Sequence, residues 1–120
     1  MSNHLLAKEP TMRDIHEAFT RLKQDYPQVH ETQEELGRYI HEEAGLLPEP
    51  TRLLAKVAAS AAAGHQRALE THLAKAREAG VSEGDLMHAL LLLIPTCGFP
   101  SFMEAYSTYL GTRWPAAGRA

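Results

Sequence analysis

His65 and His72 are the residues whose type and spacing most suit chemistry in this sequence. Histidine titrates near neutral pH, so two histidines in a cavity would suit proton transfer. Seven helical residues place them on nearly the same face, about 10.5 Å apart along the axis, which is too far to share one metal ion. They are therefore core histidines, acid–base groups, or ligands completed by other helices or chains; we predict no metal and no cofactor.

Cys97 is the only cysteine, which excludes an intramolecular disulfide and any Cys-x-x-Cys pair. Beside Gly98, near the start of the last helix, it is either a reactive thiol facing a cavity or a small buried hydrophobe. His88, on an apolar helix, is a candidate to line the same cavity as the two histidines above. The remaining histidines read as surface residues: His4, His16, His30 and His41.

Five to six helices should position these groups, because no segment shows the sustained alternation of a strand. They are expected within 11–26, 28–45, 51–79, 82–95 and 100–111, where 51–79 is either two helices or one helix bent at Gly64. Gly45, Gly64, Gly80 and Gly111 mark helix ends or a break, and Pro95 ends the apolar helix. The predicted N-caps are Thr11, Thr51 and Ser82. The predicted inner stripe of the second helix consists of Val29, Thr32, Leu36, Tyr39 and Ile40.

The segment 86–94 is apolar around most of a helix, LMHALLLLI. A helix that is apolar all round must be buried all round, which is difficult inside one 120-residue chain. We therefore expect part of this helix to meet another subunit.

Composition is that of an ordinary globular chain, with 44% apolar and 22% charged residues. The formal charge of −3, with Lys and Arg spread along the chain, gives no reason to expect a nucleic-acid or membrane partner. The longest apolar run is far shorter than the roughly 20 residues of a membrane span, and no secretory signal is visible. We expect a cytoplasmic protein with an N-terminal arm (1–10), one domain (11–111) and a tail (112–120).

The stretch from Leu47 to Pro100 resembles the carboxymuconolactone decarboxylase and alkylhydroperoxidase D (AhpD-like) superfamily, and weaker similarity extends back through the second helix to Phe19, so that most of residues 15–110 is covered. The resemblance rests on the order and spacing of several motifs: Leu47-Pro48-x-x-Thr51-Arg52-x-Leu54, the alanine-rich helix, Gly64 followed eight residues later by His72, Ala76-x-x-x-Gly80-Val81-Ser82-x-x-Asp85-Leu86, and Gly98-Phe99-Pro100. It implies an all-α, AhpD-like multihelical bundle that assembles into homo-trimers or homo-hexamers, with sites lined by adjacent subunits.

Peroxidase members of this superfamily carry Cys-x-x-Cys-x-x-x-His, and the matching positions here are His65, Ala68 and His72. The histidine remains but both cysteines are absent, so dithiol peroxidase chemistry is not expected. The decarboxylase branch also lacks the pair and shares the Gly-Phe-Pro turn. Two other family positions differ, with Leu53 in place of glutamate and Thr96 in place of tyrosine.

The resemblance favours a cofactor-free lyase or isomerase that uses His72 as acid or base, with His65 as its partner, on a small organic acid or lactone. The expected pocket residues are Ala68, His88, Thr96, Cys97, Gly98 and Phe99. Two alternatives stay open: a non-catalytic oligomeric scaffold or small-ligand binder, and an alkylhydroperoxidase or peroxiredoxin-type activity through Cys97.

Overall fold

The computed structural model describes residues 12–113, with side chains from residue 15, and this part of the chain is helical without strands. This confirms the all-α prediction. The helices are α1 (Met12–Asp25), α2 (Pro27–Glu42), α3 (Glu49–Ala63), α4 (Gln66–Glu78), α5 (Glu83–Leu91), α6 (Leu93–Cys97) and α7 (Phe99–Arg113). Only Leu92 separates α5 from α6, so the two form one interrupted helix and the described residues hold six helices by that count. None of these is long and apolar enough to cross a membrane.

The chain divides into two compact units, Met1–Leu46 and Leu47–Ala120. In the first unit, α1 and α2 meet at Tyr26-Pro27, where Pro27 occupies the first turn of α2 and has no N–H that would need a partner. The ring of Phe19 on α1 contacts that of His30 on α2 edge to face, with 5.9 Å between centroids. Thr11, the predicted cap of α1, lies outside the described residues.

The predicted inner stripe of α2 is wrong for this chain taken alone, since its apolar residues are exposed: Val29, Leu36, Tyr39 and Ile40. A two-helix unit has too few neighbouring side chains to cover such a stripe. Gly45 is also not the left-handed residue expected at the end of α2, because positive φ occurs in the described residues only at Gly64, Gly80 and Gly98.

The second unit holds the core. Its buried apolar residues come from all five helices: Leu53, Val57, Ala61, Leu69, Leu73, Ala76, Leu86, Leu90, Leu93, Phe102, Ala105 and Tyr109. The largest interface of this unit is between α3 and α4, where the small side chains of α3 allow close approach.

Most helix ends follow from the sequence. Gly64 takes φ of 76° and closes α3, because a left-handed residue lets its N–H bond back to the carbonyls of Ser60 and Ala61. Ser82 caps α5, and its hydroxyl accepts a hydrogen bond from the backbone N–H of Asp85 at 3.0 Å. The prediction of Thr51 as the N-cap of α3 is wrong by three residues, because Pro50 fits inside the first turn, Glu49 begins the helix and Pro48 is its N-cap.

Two predicted ends are wrong. Pro95 does not end the apolar helix but is the third residue of α6, where its missing N–H would have no intrahelical partner in any case. The break falls earlier, at Leu92. Gly111 does not end α7, which continues to Arg113 because Thr112 and Arg113 both bond to Tyr109.

Candidate functional site

A pocket in the second unit has a volume of about 420 Å³ and opens between α3 and the α5–α6 pair. Five residues of α3 form one wall, at spacings of three and four: Thr51, Leu54, Ala55, Ala58 and Ala62. These positions share one side of α3. Three of them are alanine, so the wall has little side-chain bulk and leaves the space open.

The opposite wall follows the same spacing along α5, Leu92 and α6. Its apolar members are Ala89, Leu92 and Leu93, and its polar members are Asp85, His88, Thr96 and Cys97. The pocket is therefore mainly apolar with a few polar groups, which is the usual make-up of a small-molecule site.

The polar residues of this wall are exposed, so their functional groups are accessible from solvent. The Thr96 hydroxyl donates to the carbonyl of Leu92 at 2.7 Å, which stabilises the interrupted turn between α5 and α6. Cys97 is a free, exposed thiol at the end of α6. The alternative that Cys97 is a small buried hydrophobe is therefore not what the structure shows.

His72 lies elsewhere, half-buried on α4 among the buried Leu69, Leu73 and Ala76. Lys75 is three residues further on and therefore shares this side of α4. On the facing helix, burial lowers the pKa of Lys56, and the nearby charges of Lys75 and Arg52 lower it further. Three cationic side chains of α3 and α4 are thus grouped together, and one of them, Lys75, lies on the same side of α4 as His72.

His65 is exposed and precedes α4 as its N-cap, so the expectation that it shares the helical stripe of His72 is wrong. Gly64 ends α3 just before it, and the φ of −89° and ψ of 86° of His65 are not helical. Its backbone N–H bonds to the carbonyl of Ser60 at 3.0 Å. The structure does not bring His65 and His72 together around one cavity.

The remaining predicted pocket residues divide into two groups. His88, Thr96 and Cys97 line the 420 Å³ pocket. Ala68 is half-buried on α4, and neither Gly98 nor Phe99 is among the lining residues of that pocket. Gly98 takes φ of 102° and links α6 to α7, while Phe99 is 57% exposed and contacts Phe102 with 6.1 Å between centroids.

Sequence reasoning missed Thr51 and Asp85 as pocket residues. The signal was present, because Asp85, His88, Leu92 and Thr96 repeat at three and four residues, and so do the α3 residues. Which of these faces would meet required the tertiary structure.

A polar cluster near the C-terminal end of α7 was also not predicted from the sequence. The Arg77 guanidinium donates to Glu83 twice, from Nε to Oε2 at 2.7 Å and from Nη2 to Oε1 at 3.1 Å. The Tyr109 hydroxyl donates to the same carboxylate at 2.8 Å, and Arg113 donates to that hydroxyl at 3.0 Å. Hydrogen bonds from Arg77 and Tyr109 lower the pKa of Glu83, and the Glu83 carboxylate raises the pKa of Arg77. This cluster joins α4, α5 and α7 and is structural.

Within residues 12–113 no three His, Cys, Asp or Glu side chains are grouped so as to hold a metal ion. The chain therefore offers two separate chemical environments: a group of cationic side chains on α3 and α4, and a mainly apolar pocket that carries Asp85 and His88.

The sequence profile described as Carboxymuconolactone decarboxylase family matches residues 27–108. A comparison with curated proteins gives no match.

Proposed function

Because the chain belongs to the carboxymuconolactone decarboxylase family, we propose that it is a cofactor-free lyase or isomerase that acts on a small organic acid or lactone. His72 is its acid or base. The observation that carries this proposal is the grouping of the cations Arg52, Lys56 and Lys75, of which Lys75 lies three residues after His72 on the same side of α4. A carboxylate substrate is attracted to such a cationic group, and its carbanion or enol centre would exchange a proton with the imidazole.

Partial burial of His72 supports the same role. The half-buried side chain of His72 is held in position by its surroundings, while part of the residue stays exposed. We further propose that the active form is a homo-trimer or homo-hexamer and that a neighbouring subunit completes the site.

The test is turnover of a panel of small lactones and β-keto or enol acids by the assembled protein after gel filtration and chelation. His72→Gln should lower kcat by about 10²- to 10⁴-fold while the assembly is retained, as expected for loss of a general acid or base. The control is His16→Gln on α1, an exposed histidine, which should leave kcat unchanged. Equal turnover by His72→Gln and the unmodified chain would refute the role of His72.

The dependence of KM on substrate charge provides a second test of the proposal. Lys75→Gln should raise KM for an organic acid about fivefold, since one charge about 4 Å away in water contributes ~1 kcal/mol, and it should leave KM for a neutral lactone unchanged. An equal effect on both substrates would contradict the electrostatic part of the proposal.

The two alternatives make different predictions. A non-catalytic scaffold or ligand binder should turn over none of the panel, and substitution of both histidines should alter its stability alone. A Cys97 peroxidase should form a sulfenic acid with an alkyl hydroperoxide, release the alcohol and be reduced by an external thiol. Cys97→Ser should abolish only that activity.

A further inference from the structure

The pocket between α3 and the α5–α6 pair is not used by the proposed reaction, because His72 is not among its lining residues. Its volume of about 420 Å³ lies within the range of 300–1,000 Å³ typical of small-molecule sites. The alanine wall of α3 provides a flat apolar surface. A ligand of this size would place its body against Ala55, Ala58 and Ala62.

Charge restricts the ligand further. Asp85 is the one lining residue with a formal charge at neutral pH within the described chain. Its backbone N–H bonds to Ser82, but its carboxylate makes no hydrogen bond or ion pair with the described residues. This carboxylate repels an organic acid and attracts a cation. The pocket therefore has the opposite charge preference from the cationic group of α3 and α4.

We propose that this pocket is a second ligand site, which binds a small, mainly apolar organic cation such as a primary amine. The ammonium group lies at the carboxylate of Asp85, and the hydroxyl of Thr51 and the imidazole of His88 are further polar partners in the lining. The apolar body lies on the alanine wall and reaches toward Cys97.

Another subunit is the competing occupant of this pocket. An apolar side chain from a second copy would remove Asp85 from water without providing a partner, and burial of an unpaired carboxylate is strongly unfavourable. An amine provides that partner. The two possible occupants also lead to different reactivities of the Cys97 thiol. This thiol stays reactive in the native assembly only if no subunit covers the pocket.

The experiment is calorimetric titration of the full chain with three matched probes: 1-naphthylmethylamine, 1-naphthylmethanol and 1-naphthoate. The amine should bind about fivefold more tightly than the alcohol, as one exposed ion pair allows, and the naphthoate should bind most weakly. Asp85→Asn should remove the difference between amine and alcohol. Naphthoate binding as tight as that of the amine would overturn the proposal.

A matched pair of variants on α3 tests whether the amine binds in this pocket. Ala58→Leu fills the pocket and should abolish binding of the amine, whereas Ala59→Leu, at an exposed residue outside the lining, should leave it unchanged. The amine should also slow alkylation of Cys97 by iodoacetamide. A Cys97 that reacts only after the assembly dissociates would show that a subunit occupies the pocket and would overturn the proposal. His72→Gln should bind the amine normally, which separates this result from the outcome of the activity tests.

Discussion

Arg77 holds the carboxylate of Glu83 by two hydrogen bonds, from Nε to Oε2 at 2.7 Å and from Nη2 to Oε1 at 3.1 Å. The two residues lie on either side of the turn between α4 and α5. The same carboxylate accepts the Tyr109 hydroxyl from α7. One acidic group therefore joins three helices of the second unit.

The first prediction concerns the strength of this pair. A double-mutant cycle with Arg77→Ala and Glu83→Ala should give a coupling energy of about 1 kcal/mol, since two-point charge-assisted bonds are strong but both side chains are partly exposed. The matched control is the exposed Arg21–Asp25 pair on α1, at 2.9 Å, for which the coupling should be about 0.3–0.5 kcal/mol. If urea unfolding gives equal coupling energies for the two pairs, the two-point geometry of Arg77 contributes no additional stability.

Acid should weaken the same contact. Hydrogen bonds from Arg77 lower the pKa of Glu83 in the folded chain, so the unfolded chain binds more protons in acid and stability rises with pH there. The contribution of Glu83 is complete above its unfolded pKa of about 4.3 and is lost as the pH falls through the lower folded value. Glu83→Gln should therefore destabilise the chain at neutral pH and progressively less below about pH 4.3.

Urea unfolding at several pH values measures this change. The control is Glu34→Gln on α2, where the side chain is exposed and the effect should be small at every pH. A loss of stability in Glu83→Gln that is the same in acid as at neutral pH would contradict the assigned cause of the pKa shift.

Two glycines should respond to alanine in opposite directions. Gly64 has φ of 76°, where an added Cβ is strained although no atom lies within 4 Å of it, so Gly64→Ala should destabilise the chain by about 1 kcal/mol. Gly37 lies inside α2 with equally open space, so Gly37→Ala should add about 0.5–1 kcal/mol of helix stability. Thermal unfolding of both variants provides the comparison, and the same sign for both would show that space, rather than φ, decides.

Local signals in the sequence predicted much of the fold. Gly64 and Ser82 were assigned correctly because each acts through its own backbone or through a residue three positions away. The helix ends predicted at Pro95 and Gly111 are wrong. A proline fits the first turn of a new helix, and the hydrogen bonds that Thr112 and Arg113 make to Tyr109 extend α7 beyond Gly111.

The candidate site was less predictable because it depends on which helix faces meet. The sequence indicated His88 and Cys97 as candidates to line a cavity, but the facing wall comes from α3, more than twenty residues earlier. The break at His65 removed that residue from the stripe of His72. The charges at Arg77 and Glu83 flank a turn, at a helix C-terminus and N-terminus that favour those signs, and this pattern would have predicted their contact.

The last prediction concerns self-association through the α5–α6 pair. Leu91 and Ile94 are 44% and 38% exposed in the single chain, on the segment that the sequence predicts to meet another subunit. Leu91→Glu should place a carboxylate in that interface without a partner, at a cost of several kcal/mol, and should dissociate the assembly. Light scattering should then show the 13.3 kDa chain in place of a trimer or hexamer. Ala74→Glu, at an exposed position on α4, is the control and should keep the assembly intact. A Leu91→Glu variant that assembles as well as the unmodified chain would exclude this face as the subunit interface.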